Sequence, residues 1–142
     1  MDEVSSFKNE PLLDWSKEEN RVNMQVALRL VKNELGQIYP SIINGVKIYD
    51  NLNLLSLNPA FFNQVVGYCS SSTLDIVNKA CQNAFSAWQE WQKSNIRYRT
   101  ECLLRAAEII RQHRFELIAW LILEAGKPWA EADAEVAEAI DY

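Results

Sequence analysis

The sequence predicts a mainly α-helical chain interrupted by a short β-hairpin and one or two further strands, too few to close a sheet of their own. Three observations predict it. Apolar residues recur at helical spacing through several long stretches, as in Ala132, Val136 and Ile140 at i, i+4 and i+8. Asn44-Gly45, two residues tolerant of positive φ, stands between the β-branched flanks Ile42-Ile43 and Val46-Lys47-Ile48, which is a hairpin pattern. Gly36, Pro59 and Gly126 punctuate the periodic stretches.

Taken in order, Ser16 followed by Glu19 reads as a capping box, because the serine oxygen and the glutamate carboxylate can each satisfy an otherwise unpaired N–H. The helix it opens is expected to run to Leu35 and end at Gly36, with Met24, Ala27, Leu28, Val31 and Leu35 as its apolar stripe. After the hairpin, Leu52 to Asn58 reads as a strand stopped by Pro59, and Gln64 to Tyr68 as a short one. Their edges require partners from elsewhere in a larger fold or from another chain.

From Ser72 the pattern is helix after helix. Ser72-x-x-Asp75 opens the first, with Leu74, Val77, Cys81, Ala84, Phe85, Trp88 and Trp91 at helical spacing. Its aromatic stripe reads as core rather than as a ligand box. A second helix spans Ile96 to His113 and a third Phe115 to Ala125. Gly126 is expected to end that helix in a left-handed conformation, and Pro128 to lie in the first turn of the next. In this last helix Glu131, Asp133, Glu135, Glu138 and Asp141 crowd the rest of the surface around the apolar stripe, and the pattern still runs at Tyr142. The chain therefore divides into an arm and helix (1–40), short strands (41–71) and a helical segment (72–142), and reads as the front part of a longer fold.

Composition bounds the partners. With 142 residues, 49% apolar and 23% charged, the chain belongs with globular proteins, long enough for one modest core. A net charge of −5 argues against nucleic acid and anionic membrane surfaces, since both require a positive field. No apolar stretch is long enough to span a bilayer and the first ten residues lack a signal-peptide core, so the expected location is cytoplasmic. Cys69, Cys81 and Cys102 fit neither a disulfide framework nor a zinc pattern and read as reduced thiols, Cys81 as a small buried hydrophobe. His113, among Arg111, Gln112 and Arg114, reads as a solvated helix-end residue. No metal site and no Ser-His-Asp or His-Cys arrangement emerges.

Several short motifs in a fixed order carry a resemblance to a known family: Asn44-Gly45, Asn58-Pro59, Val65-Val66-Gly67, Ala84-Phe85-Ser86-Ala87-Trp88, Arg99 with Leu103-Leu104, and Glu124-Ala125-Gly126-Lys127-Pro128. Together they resemble the aldehyde dehydrogenase superfamily. The opening Asn9-Glu10-Pro11, Tyr39-Pro40 after the first helix, and the close Glu135-Val136-Ala137-Glu138-Ala139-Ile140-Asp141 resemble its 1-pyrroline-5-carboxylate dehydrogenase branch in particular, from about Phe7 to the last residue.

The resemblance implies an α/β fold, of which this segment is an incomplete part of the NAD-binding domain. It also implies NAD as the cofactor of the whole enzyme, a homo-oligomer, and oxidation of glutamate semialdehyde to glutamate in proline breakdown. In that chemistry a cysteine thiolate attacks the aldehyde, amide groups hold the oxyanion, and a glutamate activates water. The resemblance puts all of these groups and the NAD-binding turn downstream, so neither catalysis nor NAD binding is expected of this chain alone. Gly126-Lys127-Pro128 lacks the P-loop pattern and reads as a helix-to-helix turn. One pocket residue carries over: Glu138 matches a glutamate facing the amino-acid end of the substrate, where a carboxylate can pair with an ammonium. Pattern alone reads Glu138 as one more solvated acid. The alternative to an enzyme fragment is a non-enzymatic helical interaction module, or a complementing fragment, that binds a partner chain through its uncovered faces.

Overall fold

The computed structural model describes residues 7–49 and 53–142. Among them are five helices, α1 (Glu18–Lys32), α2 (Leu74–Trp91), α3 (Ile96–Gln112), α4 (Arg114–Ala125) and α5 (Trp129–Asp141). Five strands lie between α1 and α2: β1 (Gln37–Tyr39), β2 (Ser41–Ile43), β3 (Val46–Ile48), β4 (Asn53–Asn58) and β5 (Phe61–Ser70).

The start of α1 differs from the capping box. Ser16 donates both its N–H and its hydroxyl to Asp14 Oδ1, at 3.0 and 2.7 Å, so its oxygen does not face the helix. These bonds hold the exposed Asp14 carboxyl below its ordinary range. Lys17 is the cap residue and makes no side-chain cap bond. Glu18 and Glu19 complement the helix dipole instead, and Arg21 ties the entry down by donating to the carbonyls of Trp15 and Ser16 at 2.9 and 2.6 Å. The helix also ends early, at Lys32 rather than Leu35.

Gly36, at φ +82°, turns the chain and donates its N–H to the Val66 carbonyl at 3.0 Å. That bond leads into β1, a strand the sequence did not suggest, which runs parallel to β5 from Gln37↔Gly67 to Tyr39↔Cys69. Three exposed residues carry no alternation; only the partner makes them a strand. The expected hairpin is β2–β3, with Asn44 at φ +50° and Gly45 at φ +74° as the turn. Leu52 lies outside the described residues, and the strand it was expected to open is β4. β5 is longer than Gln64–Tyr68 and pairs antiparallel with β4, giving the mixed order β1-β5-β4. Pro59-Ala60 forms the tip, held by buried Asn58, whose Oδ1 accepts the Ala60 N–H at 2.9 Å while Nδ2 donates to Gln64 at 2.7 Å.

The core is small and lies among three helices. Met24, Ala27 and Val31 of α1 meet Ile118, Ala119 and Leu123 of α4 and Ala132, Val136 and Ile140 of α5. The expected α5 stripe is thus the buried one. β4 leans on α4, and α3 leans on α5 and α4. Gly126 ends α4 at φ +67°, and a β-carbon there would stand 2.8 Å from Pro59 Cγ, so glycine also lets the β4–β5 tip reach the helix end. Pro128 falls one residue earlier than expected, as the cap of α5, where its carbonyl accepts the Ala132 N–H at 2.9 Å. Thr73, not Ser72, caps α2, accepting from the Ile76 N–H at 3.4 Å; Ser72 Oγ lies 3.1 Å from Ser41 Oγ.

Two expectations are corrected on α2. Its aromatic stripe is not core: Phe85, Trp88 and Trp91 are 63, 49 and 44% exposed, and Cys81 is exposed. The physical reason is that α2 meets mainly the β2–β3 hairpin, and among the described residues its aromatic side is met by little beyond Tyr98 of α3, edge-on to Trp91 at 6.0 Å. α3 is similar, with Leu103 and Leu104 exposed. Among the described residues no helix is long and apolar enough to cross a membrane.

Candidate functional site

The candidate residue Glu138 lies on α5, whose position is set from two sides. Its inner face enters the core, and within that face Asp133, expected among the solvated acids, is 1% exposed. Arg114, at the start of α4, is its counter-ion: Nε donates to Asp133 Oδ1 at 2.7 Å and Nη2 stands 2.5 Å from the same oxygen, as an ion contact without the alignment of a second hydrogen bond. The Leu13 N–H fills Asp133 Oδ2 at 2.7 Å. With both oxygens occupied, the buried carboxylate is balanced in charge and in hydrogen bonds.

The outer face of α5 is acidic. Glu131, Glu135 and Glu138 are exposed, and Glu135 is ion-paired with Lys127. Among the described residues Glu138 has no ion-pair partner and makes no side-chain hydrogen bond; its carbonyl accepts the Tyr142 N–H at 3.2 Å. An open groove of about 410 Å³ runs between α4 and α5 with α3 at its edge, lined by Ile110, Leu117, Trp120, Leu121, Val136 and Ala139 together with Glu124 and Glu135. Glu138 is not in this lining. The structure thus presents the candidate carboxylate to solvent and does not assemble a pocket around it.

A smaller cavity, about 200 Å³, lies on the other side of Trp120 and Glu124, bounded by Tyr39, Ser56, Val66, Gly67 and Cys69. Ser56 Oγ donates to Glu124 Oε1 at 2.9 Å, and the Tyr39 ring meets Trp120 edge-on at 6.1 Å. Partial desolvation against the cavity wall raises the Tyr39 phenol, 38% exposed, above its ordinary value, with Glu34, Cys69 and Glu124 adding repulsion toward a phenolate. A raised acid favours the neutral form in the fold, so its contribution is intact below the unfolded phenol value and is lost as pH rises through the Tyr39 value. Ultraviolet titration is expected to show a phenol ionising above the ordinary tyrosine value that is absent in Tyr39→Phe; the same late ionisation in both proteins would refute it.

The remaining candidates form no reactive constellation. Cys69 and Cys81 are exposed and Cys102 is half-buried, each a free thiol. His113 sits in solvent at the α3–α4 junction, as expected, with Nδ1 2.8 Å from Glu116 Oε2. Among the described residues no cluster of three metal-capable side chains occurs.

Comparison with known proteins decides the family. The model of the aldehyde dehydrogenase family matches residues 50–142. The chain belongs to the aldehyde dehydrogenase family. Within it, the chain is 45% identical over 139 residues to 1-pyrroline-5-carboxylate dehydrogenase 2 of Halalkalibacterium halodurans, covering 98% of this chain and 27% of that protein. It superposes on the NAD-bound crystal structure of 1-pyrroline-5-carboxylate dehydrogenase from Thermus with a TM-score of 0.95 at 38% identity, over 98% of this chain and 27% of the other. Proline utilization A from Bdellovibrio bacteriovorus gives a TM-score of 0.94 at 36% identity, over 95% of this chain and 14% of that one. The chain therefore matches the N-terminal segment of the 1-pyrroline-5-carboxylate dehydrogenases and spans about a quarter of the length of the curated relatives. The mainly helical segment with short strands expected from the sequence is the form that this part of an aldehyde dehydrogenase takes.

Proposed function

We propose that this chain is the first portion of the NAD-binding domain of an NAD-dependent L-glutamate γ-semialdehyde (1-pyrroline-5-carboxylate) dehydrogenase of proline catabolism, working in the cytoplasm as part of a homo-oligomer and inactive alone. The observation that carries this reading is the 45% identity across 98% of the chain to a 1-pyrroline-5-carboxylate dehydrogenase. Geometry supports it. Large apolar side chains stand exposed along α2, α3 and the β4–β5 tip, including Phe61, Phe62, Phe85 and Leu103, as expected where the rest of a fold would cover them.

The described residues do not fit NAD by themselves. The three-stranded sheet has a single parallel pair, β1–β5, and the one lysine of the Gly126-Lys127-Pro128 turn is held by Glu135. No hydride step is derived from this chain. Its own contribution to the reaction is the Glu138 carboxylate, exposed and without an ion-pair or side-chain hydrogen-bond partner among the described residues, facing the substrate ammonium once a pocket surrounds it.

The test has two arms. The purified chain with NAD and the semialdehyde is expected to form NADH only at background; turnover well above background would overturn its inactivity. Joined to the downstream region of a relative, the chain is expected to give an active enzyme in which Glu138→Ala raises the aldehyde KM by about ten- to a hundredfold, the loss of one charge-assisted contact. Unchanged turnover and KM would remove Glu138 from the pocket.

The exposed aromatic side of α2 supports a second reading, a non-enzymatic interaction module or complementing fragment that binds a partner chain. Mixing the chain with the separately made downstream region distinguishes the two: co-elution with NADH formation means complementation of the enzyme, and a monomer that ignores that region leaves the module without a partner.

A further inference from the structure

Residues 7–14 belong to no helix or strand, yet they are held at every few residues by groups more than a hundred positions away. The arm lies antiparallel to α5. Asp141 accepts the Glu10 N–H at 2.7 Å and Asn9 Nδ2 at 2.8 Å; Asp133 accepts the Leu13 N–H at 2.7 Å; and Trp15 meets Trp129 edge-on at 5.3 Å. The register is one of matched lengths. Two aspartates eight residues apart on a helix are separated by about 12 Å along its axis, and two N–H groups three residues apart in an extended chain by about 10 Å. Pro11 falls between the two N–H groups, where it removes neither donor and biases Glu10 toward an extended backbone.

The arm answers with a charge of its own. Glu10 Oε2 accepts from Arg111 Nε and Nη2 at 3.1 and 2.8 Å, and Oε1 accepts from Arg114 Nη1 at 3.3 Å. The Glu10, Arg114 and Asp133 side chains are 11, 8 and 1% exposed, so the Arg114 contacts are shielded from water, while Arg111, 43% exposed, meets Glu10 at the surface. A single arm residue thereby bridges the end of α3, the start of α4 and, through its N–H, the end of α5.

We infer that α5 and the adjoining ends of α3 and α4 form a peptide-recognition surface, and that its occupant is this chain's own segment Asn9–Leu13, an extended peptide with a half-buried carboxylate directly before proline. The helix reads the peptide backbone through Asp133 and Asp141; the two arginines read Glu10. The arm acts as an intramolecular ligand that clasps three helices, rather than as a tail.

Hydrogen exchange of the 142-residue chain tests this, comparing the parent with Glu10→Gln, Asp141→Asn and, as a control, the exposed Glu19→Gln. Exchange in residues 9–13 and in the second half of α5 is expected to rise by about tenfold or more in both latch variants, the loss of a charge-assisted bond, with α2 and the control unchanged. Asp141→Asn leaves the Glu10–arginine pairs in place, so it reports on the arm where Glu10→Gln unfolds the chain. Parent-like exchange in Asp141→Asn overturns the proposal. A concentration-dependent dimer whose arm stays protected overturns the intramolecular assignment and gives the surface to the arm of a second copy.

Discussion

Asp133→Ala is expected to cost about 3–5 kcal/mol of folding stability, because it strands the buried Arg114 guanidinium without the carboxylate that neutralises it. Arg114 is 7% exposed as a residue, and its remaining acidic neighbour, Glu10 at 3.3 Å, also serves Arg111. The Leu13 N–H loses its acceptor in the same change. A small domain is stable by only about 5–15 kcal/mol, so the loss is a large share of the total. Urea unfolding followed by tryptophan fluorescence reads it as a midpoint far below the parent's. A parent-like midpoint would mean that Arg114 finds solvent or another carboxylate, and that the pair does not anchor α4 to α5.

The second large effect is expected at Ile118, which is fully buried at the centre of α4. Ile118→Ala should destabilise by about 2–5 kcal/mol, the range for deleting a buried aliphatic side chain whose surroundings collapse only partly. Trp88→Ala removes a larger side chain, yet it should cost under about 1 kcal/mol in this chain, since substitutions at uncovered positions disturb little packing. The comparison separates the two halves of the molecule. Equal losses at Ile118 and Trp88 would show α2 to be covered in solution by something the isolated fold does not contain.

That contrast also marks what could be read from residues in order. The stripe Ala132, Val136, Ile140 and the stripe Phe85, Trp88, Trp91 have the same helical period, and period says only that one side is apolar. The first is buried because α1 and α4 lie against it; the second is exposed because α2 touches little beyond the β2–β3 hairpin. The burial of Asp133 is legible in the sequence. It lies three and four residues before Val136 and Ala137, so on a helix it falls inside the buried arc. An acid in an apolar arc requires a buried cation, but nothing in the order of residues singles out Arg114 from its neighbours Arg111 and His113.

The candidate site divides in the same way. Glu138 came from resemblance to a branch of the family, not from spacing, and the fold places it on the exposed side of α5 with no pocket of its own. The capping box at Ser16 failed for a local reason: Asp14, two residues before it, offered the serine donors a nearer acceptor than the helix end. At α2 the capping role moved by one residue, to Thr73.

What the amino-acid order determined by itself is the local grammar: the Asn44-Gly45 turn, the left-handed Gly126, the extents of α3 and α4 to within a residue, and the motif string that led to the aldehyde dehydrogenase family. These depend on dihedral preference, side-chain period and short-range hydrogen bonds, all of which act within a few residues. The tertiary structure alone decided which apolar stripes are core, that Gln37–Tyr39 is a strand, and that residues 9–13 close onto a helix more than a hundred residues away. Burial, strand pairing and buried charge each need a partner remote in sequence, and which partner arrives is settled only when the chain packs.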